Sequence, residues 1–317
     1  MTTPLDPMIA QILTVLPAFD PPHMTPASCR EQLRAIAASR SDQPLPQPSS
    51  VEDSRIPNGP VIRIYRPTAR PVPTVVFFHG GGWVGGDLET HDRQCRSMSI
   101  EIGVVVVSVD YRRPPEAPFP AAFEDAMLAT RWVFENAASL GGDAARIGVA
   151  GDSAGGNLAA AVALASRDAG LHLAAQLLVY PVTDVVGGFG DAAINRTYPS
   201  REENANGYFL TLAVMRWFAD HYLPDLPDRS QQSDSRVSPL RAKRLDGVAP
   251  AVVCTAYFDP LRDEGIAYAA ALRAALVVVR EHRGAGLIHG YFGMAGAVPA
   301  AGEEVRCARN DFRELLS

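Results

Sequence analysis

Cysteine is scarce in this chain. Its four cysteines, Cys29, Cys95, Cys254 and Cys307, are scattered over 317 residues and form no C-x-x-C pair. That argues against a disulfide framework or a zinc ribbon and fits a reducing compartment. Excess base is also missing: 29 Lys and Arg stand against 35 Asp and Glu, a net charge of −6. Nucleic-acid or anionic-membrane partners would call for a basic patch, so neither is expected. The opening segment, MTTPLDPMIAQILTVLPAFDPP, has no basic stretch at its start and carries Gln11 within its apolar part. It is too short to span a bilayer and does not read as a signal peptide. No stable membrane insertion and a cytoplasmic location are the resulting expectations. Internal repeats are absent as well.

What the chain does have is apolar content, 47% of its residues, enough for a large core. Two amphipathic helical patterns, near 5–19 and 26–39, come first, followed by a proline-rich connector, DQPLPQPSS. From about residue 60, short apolar runs alternate with helical patterns. The runs are VIRIY, TVVFFH, VVVVSVD, RIGVAG, AAQLLVYP, PAVVCTAY and ALVVVREHR. Most are continuously apolar, which suits a sheet covered on both faces, an α/β doubly wound fold. Residues 185–249 are too many for a simple crossover and contain the aromatic stretch TLAVMRWFADHYL, so they read as an inserted cap. The expected division is 1–50 as N-terminal helices joining that cap, and 51–317 as a catalytic domain carrying the cap insertion at about 185–235. ALVVVREHR reads as an outer strand, whose edge could pair two copies into a homodimer.

The stretch RIGVAGDSAGGNLAAAVALA reads strand, tight turn, helix. Gly151-Asp152-Ser153-Ala154-Gly155 matches G-x-S-x-G in the context that gives the pattern meaning. Such a turn pushes Ser153 out at the carboxyl end of its strand, over the positive end of the next helix. A serine nucleophile needs a base, and the base an orienting acid, here in the chain order Ser, Asp or Glu, His. Asp259 follows an apolar run and precedes Pro260, where a strand ends and a helix begins. After it only His282, inside a strand-like run, and His289, beyond it, remain. Sites in open α/β sheets form at the carboxyl ends of strands, which favours His289. Asp184 is the rival acid, and His79 precedes the serine and reads as structural.

The second glycine cluster, FFHGGGWVGGD, has two readings. Gly80, Gly82 and Gly85 satisfy G-x-G-x-x-G, and Asp110 stands where a ribose-binding acid would. But Trp83 sits inside the loop, and Asp87 and Glu89 lie where phosphate charge would suffer. A phosphate-binding P-loop fails because Asp87 occupies the lysine position. His79-Gly80-Gly81-Gly82 also fits the oxyanion loop that accompanies a G-x-S-x-G turn, with Ala154 supplying a further N–H. The expected donors are Gly80, Gly81, Gly82 and Ala154.

HGGGW, GDSAGG, DPLRDEG and LIHGYF, in that order, resemble the hormone-sensitive-lipase family of α/β-hydrolases, in its bacterial carboxylesterase branch. The resemblance runs from about residue 60 to 295 and includes YRRPPEAPFPAAFEDA and YPSREENANGYFLT. It implies an α/β-hydrolase fold with a helical cap, a Ser153–Asp259–His289 triad, and no cofactor or metal. The expected activity is hydrolysis of short- to medium-chain acyl esters through an acyl-enzyme, with a small ester as substrate. An amide or carbamate hydrolase using the same triad, or a non-catalytic ligand-binding protein on the fold, are the alternatives. The chain departs from the family at Arg112-Arg113-Pro114 and Ala117, and at Leu276, near which a glycine is usual.

Overall fold

In the computed structural model, residues 3–39, 44–68, 71–224 and 229–317 are described; part of the proline-rich connector lies outside them. Helices α1 (Pro7–Val15) and α2 (Pro26–Ala38) come first. Asp6 caps α1, accepting from the Met8 and Ile9 N–H groups, with Pro7 preset for the first turn. Thr25 and Ser28 form a reciprocal cap on α2.

Among the described residues eight strands form one sheet: β1 (Ser50–Arg55), β2 (Val61–Arg66), β3 (Val72–Phe78), β4 (Val105–Asp110), β5 (Gly142–Asp152), β6 (Ala175–Val179), β7 (Ala251–Phe258) and β8 (Val279–Ile288). Their spatial order is β1-β2-β4-β3-β5-β6-β7-β8. β2 runs antiparallel to both β1 and β4, and every pairing from β4 to β8 is parallel. Alternation along β3 sends Val76 and Phe78 into one core cluster and Val75 and Phe77 into another. The first cluster holds residues of α4 (Ala121–Leu140), α5 (Ala154–Asp168) and α10 (Arg262–Ala274). The second holds residues of α3 (Leu88–Met98) and α11 (Pro299–Leu315). Both faces are thus covered, which is why the central strands read as unbroken apolar runs.

Two strands at the sheet edges depart from the sequence reading. β1, SVEDSR, carries no apolar run because it is a solvated edge strand; Glu52 and Asp53 are exposed, and Asp53 pairs with Arg63 of β2. β8 starts at Val279, not Ala275, because α10 ends in a left-handed turn at Leu276 (φ 63°), whose side chain is 94% exposed. It then runs to Ile288, past the glycines, with a register shift opposite Ala256 and Phe258.

The interval between β6 and β7 contains α6 (Ala192–Asn195), α7 (Ser200–Glu203), α8 (Leu212–Tyr222) and α9 (Arg229–Gln232). A buried polar cluster fixes it to the body. Fully buried Arg201 donates to Glu264 of α10 and to the Asp184 carbonyl, and lies over the rings of Phe189 and Tyr198. The Thr183 and Asp184 N–H groups donate to the other Glu264 oxygen at 2.7 and 3.2 Å. Removing one partner of such a buried pair is costly, because the other charge is left uncompensated.

Candidate active site

Ser153 sits at the turn from β5 into α5 with φ 56° and ψ −119°, a strained conformation for a residue with a side chain. The flanking glycines make the turn sterically feasible. A Cβ on Gly155 would stand 2.0 Å from the Phe78 carbonyl oxygen, and one on Gly151 would stand 2.2 Å from that of Gly155. The Ser153 N–H donates to the Val179 carbonyl at 2.8 Å, fastening the turn to β6.

His289 directly follows β8, and Asp259 directly follows β7. The structure brings both to the serine. His289 Nε2 lies 3.0 Å from Ser153 Oγ, and its Nδ1 lies 2.7 Å from Asp259 Oδ2. The other Asp259 oxygen accepts the Leu261 N–H at 2.9 Å. All three side chains are buried. With Nδ1–H donating to the carboxylate, Nε2 is left as the acceptor for the serine proton, an arrangement able to generate a serine nucleophile.

The rival groups are engaged elsewhere. Asp184 is fully buried, paired with Arg241 and accepting from the Tyr198 hydroxyl at 2.6 Å. His282 pairs with Asp311 at 2.9 Å. His79 is fully buried and stacked on Tyr111, and burial, aided by the nearby His91 and Arg113 charges, pushes its pKa down to about 3. It is therefore neutral in ordinary buffers. Asp110 pairs with Arg113 and does not line the cavity that holds Ser153.

The glycine loop following β3 lies beside the serine, and its four expected donors are not equivalent. The Gly80 N–H is occupied: it donates to Asp152 Oδ1 at 3.0 Å. An N–H so engaged is less available to a second acceptor. Gly81, Gly82 and Ala154 use their N–H groups in no described hydrogen bond; that of Ala154 opens α5 and so has no intrahelical acceptor. Gly81 and Gly82 have φ 116° and 59°, and a Cβ on Gly82 would stand 2.1 Å from the Phe218 ring.

Sequence reasoning missed the anchor. Asp152 accepts from Gly80 and lies 3.1 Å from His91 Nε2. Burial alone would raise its carboxyl, but His91, through charge and a hydrogen bond, holds it below the usual range. The signal was present as the D of GDSAGG and the H of THDRQ, but nothing in the spacing says that they meet.

Ser153 opens into a cavity of 1090 Å³. Its walls include α1 and α2 (Ile12, Leu16, Leu33) and the β6–β7 interval (Phe189, Val214, Phe218). Among the described residues, no cluster of His, Cys, Asp or Glu is arranged to hold a metal ion. No described helix is long and apolar enough to cross a membrane.

A parallel α/β sheet with a serine on its strand-to-helix turn, next to a histidine and an aspartate, defines a serine hydrolase. Residues 75–293 match the profile of a family described as having the alpha/beta hydrolase fold. The chain belongs to that family, in line with the resemblance its motifs carry. It is 41% identical to "Esterase LipI" of Mycobacterium tuberculosis over 94% of this chain and 91% of the relative. It is 35% identical to "Ethyl acetate hydrolase" of Pseudomonas putida over 86% of this chain and 84% of that one. The crystal structure of a thermostable esterase from Pseudomonas putida ECU1011 superposes with a TM-score of 0.90 at 37% identity, covering 100% of this chain and 99% of the other.

Proposed function

We propose that this chain is a serine carboxylesterase acting on short- to medium-chain acyl esters through an acyl-enzyme. The observation that carries the reading is the continuous hydrogen-bonded line Ser153–His289–Asp259, at 3.0 and 2.7 Å, facing a largely apolar cavity. Esterase relatives that match nearly the whole length support the ester as substrate.

His289 Nε2 takes the proton as Ser153 Oγ attacks the ester carbonyl, and Asp259 stabilises the imidazolium. The carbonyl oxygen becomes an alkoxide, held by the N–H groups of Gly81, Gly82 and Ala154. Gly80 holds the loop in place through Asp152. His289 then protonates the leaving alcohol, and water repeats the sequence on the acyl-enzyme.

Ser153→Ala removes the nucleophile, because only its oxygen forms the covalent bond. Turnover of p-nitrophenyl butyrate should fall by roughly 10⁴-fold or more, with the melting temperature nearly unchanged. Retained turnover would sink the mechanism.

A further inference from the structure

The cavity is far larger than an ester group needs, and its lining divides by polarity. Around α1 and α8 it is apolar, with Ile12, Val15, Leu16, Val214, Met215 and Phe218. A second arm runs between α3 and α11. There Gln94, Ser97 and Glu101, on one face of α3 and its continuation, line the cavity with Arg309 and Asn310 of α11. Gly293, Gly296 and Gly302 also line it and contribute no side-chain bulk.

The donors of this arm are not all matched. Arg309 is 5% exposed. It donates through Nη1 to Glu101 Oε2 at 2.6 Å and through Nη2 to the Gln94 carbonyl at 3.4 Å. Its Nε has no acceptor, and neither does Gln94 Nε2. A buried N–H without an acceptor destabilises a fold, so packing alone does not account for the pair. Arg93 and Arg306 line the arm too, and Glu101, the carboxylate that pairs with Arg309, is half-exposed. Arg306 is paired with Glu303 at the surface, which leaves Arg309 as the arm's buried cation.

We propose that this arm binds an ionised carboxylate carried by the substrate, with Arg309 and Gln94 as its donors. The guanidinium fork matches a carboxylate in shape and charge. The substrate class is then an ester with a second, free carboxyl group, on either its acyl or its alcohol side. This inference rests on the esterase reading and adds to it a preference for charge at one end of the substrate.

The test compares charged esters with uncharged counterparts. Monoethyl glutarate, adipate and suberate place the carboxylate on the acyl side, and ethyl hexanoate is their uncharged partner. The ester 4-acetoxybutanoate places it on the alcohol side, with pentyl acetate as partner. In the wild type at least one charged ester should match or exceed its partner in kcat/KM. Arg309→Met and Gln94→Leu should each lower the charged-to-uncharged ratio by roughly tenfold, mainly through KM, as loss of a charge-assisted hydrogen bond implies. Melting curves verify folding. Should Arg309→Met fail to fold, Gln94→Leu and competitive inhibition of wild-type p-nitrophenyl butyrate hydrolysis by adipate, but not by hexanol, carry the test. Unchanged ratios in the variants, or charged esters all turned over more than tenfold worse than their partners by the wild type, overturn the inference while leaving the esterase reading intact. No turnover of any ester overturns both.

Discussion

Asp152 shows how one side chain can organise a site without touching the reacting atoms. It precedes the serine, so the turn that exposes Ser153 also directs this carboxylate towards the glycine loop, where Gly80 donates to it at 3.0 Å. That bond ties down the start of the loop that carries Gly81 and Gly82. On the proposed mechanism, Asp152→Ala should lower kcat by about 10²-fold while KM changes little, since donors that act only on the alkoxide are lost from the transition state alone. Asp152→Asn keeps an acceptor for Gly80 and should retain most of the activity. Steady-state kinetics on p-nitrophenyl butyrate check both; an unchanged kcat in the alanine variant would refute the anchoring role. Leu276 makes the opposite point. It occupies a left-handed position that glycine fills at least cost, and nothing in the structure explains the leucine there.

At the scale of elements, the β6–β7 interval does more than wall the cavity. Short helix α7 and the residue after it grip the turn that carries Asp259. Asn204 Nδ2 donates to the Tyr257 and Asp259 carbonyls, each at 3.3 Å, and Ser200 Oγ donates to the Pro260 carbonyl at 2.9 Å. The Ser200 N–H reaches Asp263 at 2.7 Å. Asp259 is thus held from the β6–β7 interval as well as by its own strand. Asn204→Ala removes one donor from each carbonyl, while Arg262 still donates to both, through Nη1 to Tyr257 and through its N–H to Asp259, and should cost about 0.5–1.5 kcal/mol of stability. On the proposed mechanism a several-fold loss of kcat should accompany it, because His289 Nδ1 lies 2.7 Å from Asp259. Thermal melts and kcat measured on the same preparation test this; no change in either would show that the clamp is incidental.

For the molecule as a whole, pH acts on stability at the outer strand. His282 on β8 lies 2.9 Å from Asp311 and 3.7 Å from Glu304, both on α11. The Glu304 carboxylate, followed by that of Asp311, raises its pKa above the ordinary 6.5, although burial opposes the shift. A histidine with a raised folded pKa contributes stability that is fully present below the unfolded value and is lost as pH rises through the folded one. His282→Gln should therefore lower the melting temperature at pH 6, and the gap from wild type should shrink as pH rises past the folded pKa. Melting temperatures across pH 5.5–9 check the sign; a gap that widens with pH would refute it.

The central strands, the serine turn and the placement of Asp259 and His289 just after strands were legible in the sequence, because each depends on local pattern: buried strands are apolar and the tight turn needs glycine. β1 was not legible, since an edge strand facing water needs no apolar run. The end of β8 was hidden by Gly284 and Gly286, which read as loop but lie in a strand. The hormone-sensitive-lipase resemblance extended the local reading to a whole family without saying which loop N–H groups are already bonded. That required tertiary structure: the Gly80 N–H is engaged by Asp152, 72 residues away in the chain. The same holds for the polar arm of the cavity, where Gln94 and Arg309 are 215 residues apart. Sequence by itself determined which groups could do the chemistry, because that is set by residue type and local backbone. Only the folded chain decided which of them remain unengaged, because hydrogen-bond partners are assigned by proximity in space.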